Sequence, residues 1–144
     1  MTTSIRPVLL STEVVELLKE ADLPTEDLVE GQSGAIFHGI FDDHTLCAVV
    51  AIEPHGNLAL LRSLAVKTQH QGNGFGQALV SHAVEVAQRS GVDALYLLTT
   101  SSSHFFQRLG FSIVERDEVP TLIRKTSQFS TLCPATCAVM RREL

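Results

Sequence analysis

Tryptophan is absent and tyrosine occurs once, so seven phenylalanines carry most of the aromatic bulk of the 144 residues. Cysteine is scarce as well. Cys47, Cys133 and Cys137 are an odd number, and none stands in a CxxC pair or beside a histidine at zinc-ligand spacing. Reduced thiols are therefore expected. Cys133 and Cys137 read as packing near the C-terminus, or more sharply as a soft-metal or redox pair, for which two ligands are too few to close a site; no metal is expected. Positive charge is also in short supply: 11 Lys and Arg stand against 16 Asp and Glu, giving a net charge of -5, and no basic run exceeds two residues. That balance removes the attraction to a phosphate backbone and excludes nucleic acid as an expected partner. No apolar stretch approaches the roughly 20 residues of a membrane span, and the first residues lack a basic region followed by an apolar run. Neither membrane association nor a leader is expected, and the cytoplasm is the expected compartment.

What is present is the composition of a globular domain: 44% hydrophobic residues, 19% charged, and a mean hydropathy of +0.17. The length suits one compact domain over residues 1–144 with one hydrophobic core.

Along the chain, Ser11 and Thr12 are caps for an amphipathic helix carrying Val14, Val15, Leu17 and Leu18, which Pro24 ends or redirects. Residues 25–33 read as a short helix or a loop. Two apolar runs, 34–41 and 45–52, flank Asp42-Asp43-His44 and predict a hairpin. After the turn signal Pro54-His55-Gly56-Asn57, residues 58–66 are too continuously apolar for a strand with one wet face and predict a central one. Helical spacing then recurs from 74 to 89, with Gly91 as a stop; a short strand at 94–98, a helix at 101–109 and a strand at 111–114 follow. A closing strand at 133–140 is the remaining expectation, and two chains pairing through it as a homodimer is left open.

The strongest chemical signal is Gln71-Gly72-Asn73-Gly74-Phe75-Gly76, between a buried strand and a long amphipathic helix. Its glycines permit positive φ and close approach of a ligand, so that several main-chain N–H groups can point at one anion at a helix N-terminus. Such a turn favours a pyrophosphate without basic side chains, and hence a nucleotide or CoA. The spacing is neither a dinucleotide fingerprint nor a Walker loop.

The segments Leu64-Ala65-Val66 with Gln71–Gly76, and Phe105-Phe106-Gln107-Arg108-Leu109-Gly110-Phe111, resemble in content, order and separation the two landmarks of the GNAT acetyltransferases. The resemblance implies an α/β (α+β) fold with a mixed central sheet of about six or seven strands, splayed in the middle and flanked by about four helices. It implies acetyl-CoA as donor: main chain at Leu64, Ala65 and Val66 beside the pantetheine arm, Gln71, Gly72, Asn73, Gly74, Phe75 and Gly76 around the pyrophosphate, and Thr99 to Ser101 with Phe105 and Phe106 near the thioester. The segment LLTTSSSHFFQRLGF, with Glu115 to Pro120 and the tail Ser130 to Ala135, is more particularly similar to acetyltransferases of arsenic-resistance operons. It is also similar to the catalytic domain of N-acetylglutamate synthases.

Acetyl transfer to an amine requires a neutral nucleophile, an oriented carbonyl, stabilisation of the developing oxyanion and a proton for the leaving thiolate. A backbone N–H near Leu64 or Ala65 meets the oxyanion requirement. Many relatives place a tyrosine where this chain has Phe106, so the proton must come from water, Ser101, Ser102 or His104, or the thiolate leaves unassisted. Glu53 is the candidate base, directly or through water, against a solvated carboxylate beside the turn. Arg62, a charge inside an apolar strand, reads as an anchor for a substrate carboxylate or as a salt bridge to Glu53 or Glu85. His55 and His70 read as loop histidines. The expected acceptor is a small-molecule amine, an amino acid or an arsenic-containing analogue. A non-catalytic acyl-CoA sensor and a nucleotide-binding module are the competing readings.

Overall fold

A computed structural model of the chain describes residues 3–29, 34–126, 128–129 and 137–144. Seven strands form one sheet in the order β1-β2-β3-β4-β5-β7-β6. They are β1 (Thr3–Val8), β2 (Ile36–Asp42), β3 (Thr45–His55), β4 (Leu58–Val66), β5 (Ala94–Thr99), β6 (Ser112–Val114) and β7 (Ala138–Glu143). The helices are α1 (Thr12–Glu20), α2 (Glu26–Val29), α3 (Phe75–Arg89), α4 (Ser103–Arg108) and α5 (Thr121–Arg124), with 3₁₀ turns at Thr68–His70 and Arg116–Glu118.

The strand ahead of α1 runs against the sequence expectation of an opening helix. It is an edge strand: Ser4, Arg6 and Pro7 are exposed, and Pro7 lacks the N–H that a two-sided ladder position would use. Its apolar signal is correspondingly weak. The α1 N-terminus is as expected, with Ser11 Oγ accepting from Val14 N at 3.4 Å. The hairpin turns fall where the sequence places them, at Asp43 (φ 55°) and at Gly56-Asn57 (Gly56 φ 63°).

Both faces of the sheet are covered. The apolar stripe of α3, Leu79, Val80, Ala83, Val84 and Ala87, packs on Ala48, Val50, Ile52, Ala59, Leu61, Leu95 and Leu97. On the opposite face Val14, Leu17 and Leu18 of α1 meet Phe37, Val49, Ala51 and Ala65. A smaller cluster places Val119 and Ile123 over Leu60, Tyr96 and Val139. Burial of each such Leu, Ile or Val contributes about 1.5–3 kcal/mol relative to exposure, which fixes α3 and the two central strands against one another.

Two irregularities in β4 shape the site. Ala65 pairs with Val49 but Arg62 pairs with Ala51, so Ser63 and Leu64 face a single partner residue and Ser63 takes φ 59°. On its other side β4 pairs in parallel with β5 only from Leu58 to Leu60, against Ala94 to Tyr96. Beyond that rung the strands part, while β5 stays bonded to β7 as far as Thr99. β7 therefore lies inside the sheet, with β6 on its other flank over Val139 to Arg141. Of the expected closing strand, Cys133 to Thr136 lie outside the described residues.

Candidate functional site

The parting of β4 and β5 opens a cleft of about 1090 Å³, at the upper end of the size range of ligand sites. One wall is β4 from Leu61 to Val66. The other is the end of β5 with Leu97 to Ser102, joined by Phe105 and Phe106 of α4; Gln71, Gly72, Gly74, Phe75 and Gly76 close one end, and Ala21 to Pro24, Gln128 and Cys137 also line it.

The glycine turn is built as its sequence suggests. Gly72 and Gly74 have φ of 86° and 77°, and a methyl group at either would meet no atom within 4 Å. Gly74 is the N-cap of the 15-residue α3 and provides no side chain to cap it, so the first N–H groups of the helix are left to an external acceptor. Gln71 Nε2 donates to Val66 O at 3.2 Å and ties the turn to the end of β4. A methyl at Gly76 would touch Phe105 Cζ at 3.4 Å, which shows how closely α4 leans over the start of α3. Opposite, Thr99 Oγ1 accepts from Ser102 N at 3.0 Å and sets the entry into α4. Open glycine backbone, free helix N–H groups and an unpaired strand edge fit a long ligand with a diphosphate at one end.

Of the cofactor residues read from the sequence, Leu64, Ala65, Val66, Gln71, Gly72, Gly74, Phe75, Gly76, Thr99, Ser101, Phe105 and Phe106 all line this one cleft. Asn73 is exposed on the turn between two of them. Phe106, 7% exposed, packs edge-on against Phe105 and Phe111, at centroid distances of 5.0 and 5.8 Å.

Of the three catalytic candidates, Arg62 and Glu53 are joined by a hydrogen bond, as the salt-bridge reading of Arg62 expects, and His104 stands apart. His104 is exposed on α4 and is not among the lining residues. Arg62 reaches the cleft, yet its two terminal nitrogens are engaged: Nη1 donates to Asp27 at 2.5 Å and to Glu53 at 3.0 Å, and Nη2 donates to Asp27 at 3.0 Å. Glu53 is buried, its other oxygen 2.5 Å from His55 Nε2, and it too lies outside the lining residues. A chain His55–Glu53–Arg62–Asp27, buried but for the half-buried His55, thus runs from the β3–β4 turn to α2. Burial opposes the Arg62 charge, but the hydrogen bonds and attraction of Asp27, then of Glu53, outweigh it and raise its pKa above the ordinary value.

Sequence reasoning passed over Asp27, Ser63 and Gln128. Asp27 sits 35 positions from Arg62, and nothing local announces the pairing. Ser63 left a signal: it is the second polar residue within an otherwise apolar strand. Among the described residues no group of three or more His, Cys, Asp or Glu could hold a metal, and no helix is long and apolar enough to cross a membrane.

A mixed sheet whose middle strands part beside a glycine turn and helix start defines an α/β domain of the acetyltransferase type. The chain belongs to the acetyltransferase (GNAT) family, whose model matches residues 4–111. Among its relatives, an amino-acid acetyltransferase of Neisseria meningitidis is 30% identical over 79 residues, 55% of this chain and 18% of that protein. An N-acetyltransferase of Chlorobaculum tepidum is 36% identical over 81 residues, 56% of this chain and 50% of that one. The chain thus spans half or less of the length of these relatives. Among solved structures, N-acetylglutamate synthase of Neisseria gonorrhoeae, complexed with coenzyme A and N-acetyl-glutamate, superposes with a TM-score of 0.83 at 21% identity, covering 100% of this chain and 35% of that one. A GNAT-family acetyltransferase of Elizabethkingia anophelis with acetyl-CoA bound gives 0.73 at 18% identity, covering 99% and 98%.

Proposed function

We propose that this chain transfers the acetyl group of acetyl-CoA to the amine of a small molecule, an amino acid or an arsenic-containing amino-acid analogue. The single observation carrying this reading is the loss of pairing between β4 and β5 beyond Leu60 and Tyr96, directly beside the Gly72 and Gly74 turn. The names of the relatives, and the coenzyme held by the solved neighbours, support it. Acetyl-CoA supplies an activated acyl carbon: a C–N bond forms, the C–S bond breaks, the amine gives up a proton and the sulfur gains one.

The N–H groups at the start of α3 and around Asn73 hold the diphosphate, and main chain on the free edge of β4 aligns the arm and faces the developing negative oxygen. Hydroxyls of Ser101 and Ser102 stand on the β5 side as proton sources. Glu53, with both oxygens engaged, acts by orienting Arg62 and draws on the amine proton only through water. Calorimetry with acetyl-CoA and thiol release with a panel of amines test the reading. Heat of binding and amine-dependent release are expected; no heat at millimolar acetyl-CoA would sink it.

Phe106, at the position where many GNAT enzymes carry a tyrosine, favours a second reading as a non-catalytic acyl-CoA sensor. Binding of acetyl-CoA with no thiol release from any amine would select it.

A further inference from the structure

Six buried side-chain nitrogen or oxygen atoms among the described residues have no hydrogen-bond partner, and three of them, Arg62 Nε, Ser63 Oγ and Gln128 Oε1, belong to residues lining the cleft. Buried polar atoms are nearly always satisfied, by protein, water or ligand, because an unmet one forfeits its hydration. Two of the three are adjacent, on the bulge of β4. Arg62 Nε–H can only donate, and its plane is fixed because the two terminal nitrogens are tied to Asp27 and Glu53. Ser63 holds φ 59°, a conformation that costs a non-glycine residue free energy and that gathers at ligand sites. Two partnerless donors thus belong to neighbouring residues of the cleft wall, on the strand that parts from β5.

Charge limits what they can receive. Asp27 and Glu53 are two carboxylates against the one guanidinium of Arg62, with His55 as the further partner of Glu53 among the described residues. Asp22 adds a carboxylate to the lining, and no other Lys or Arg is among the described lining residues. The segments outside the described residues, 1–2, 30–33, 127 and 130–136, contain no Lys or Arg either. A zwitterion brings no net charge into this cleft, whereas a dicarboxylate brings an uncompensated anion.

We infer that Arg62 Nε and Ser63 Oγ are the hydrogen-bond donors for the one carboxylate of the acceptor, and that the acceptor is an α-amino acid of zero net charge rather than a dicarboxylate. This rests on the acetyltransferase reading above and narrows its substrate class. It also sets the chain apart from the glutamate-derived ligand named for its Neisseria gonorrhoeae neighbour.

The test uses glutamine, glutamate and 4-aminobutanamide, the carboxylate-free counterpart of glutamine, with the whole chain and its Ser63→Gly variant. Glycine suits φ 59° and removes only the hydroxymethyl group, so folding is retained where Arg62→Ala would risk it. Glutamine is expected to exceed glutamate in kcat/KM by about tenfold or more, and Ser63→Gly to raise the KM for glutamine by about five- to tenfold. The loss should fall on the carboxylate-bearing acceptor, so that Ser63→Gly raises the ratio of the KM for glutamine to the KM for 4-aminobutanamide by about threefold or more. A preference for glutamate, or an equal effect of the variant on glutamine and on its carboxylate-free counterpart, overturns the inference. In either case the acetyltransferase reading survives if thiol release depends on an amine. Absence of acetyl-CoA binding strikes that reading instead, and is seen in the calorimeter before any amine is added.

Discussion

Arg62 and Asp27 meet through two parallel hydrogen bonds, 2.5 and 3.0 Å long, that join the bulged strand to the short helix α2. Their side chains are 1% and 6% exposed, so the pair is shielded from the solvent that makes surface ion pairs weak. Asp27→Ala leaves Arg62 with Glu53 alone. It is expected to cost about 3–5 kcal/mol, the usual effect of breaking one side of a buried pair. Urea unfolding of the two chains measures this, and a difference below about 1 kcal/mol would mean that Arg62 is held by other means.

At the glycine turn, two substitutions separate backbone strain from ligand approach. Gly74→Ala forces a methyl-bearing residue into φ 77°, at a folding cost of about 1–2 kcal/mol. It is expected to weaken acetyl-CoA binding about tenfold or more as the turn shifts away from the shape that points its N–H groups outward. Gly76→Ala lies in the first turn of α3, where a methyl meets Phe105 Cζ at 3.4 Å and Val66 Cγ2 at 4.0 Å, and should leave stability level or raise it by up to about 1 kcal/mol. Calorimetry and thermal melts on both variants read the two effects; tight coenzyme binding by Gly74→Ala would remove the turn from the site.

His38 and His82 face each other at 4.7 Å between β2 and α3, with His38 Nδ1 and His82 Nε2 lacking partners. Burial, and then repulsion from His82, lower the pKa of His38 below its ordinary 6.5. The unfolded chain therefore binds more protons than the folded one as pH falls through 6.5. His38 should favour folding fully above that value and progressively less below it, until the lowered pKa is passed. The melting temperature of the wild-type chain is expected to fall between pH 7.5 and 5 more steeply than that of His38→Phe. Parallel curves for the two chains would show that some other group governs the loss.

Most of the sheet was legible because its strands differ in kind. Leu58–Val66 read as central from its unbroken apolar run, and α3 from a stripe that recurs at helical spacing. Edge strand β1 was missed for the reason that makes it an edge: half its residues face water and Pro7 interrupts the pattern. The four-residue α5 is held by Ile123 beneath it, and so short an element has no periodicity to display. At the candidate site the glycine turn announced itself because its chemistry resides in consecutive residues. Of the Arg62 network only the pairing with Glu53 did, since an unexpected charge in a strand says that a partner exists without saying that another lies on α2. Resemblance named the residues lining the glycine-turn end of the cleft in detail and those at the other end hardly at all.

The rungs between β4 and β5 stop after three residues, so the sheet is two boards hinged along a short seam, β1 to β4 on one side and β5, β7 and β6 on the other. Whatever lies in the opening becomes the missing slat. Loading the cleft should therefore stiffen the molecule across the seam, slowing deuterium uptake at Leu61 to Val66 and at Leu97 to Thr100, while the outer edge of the first board keeps its own rhythm.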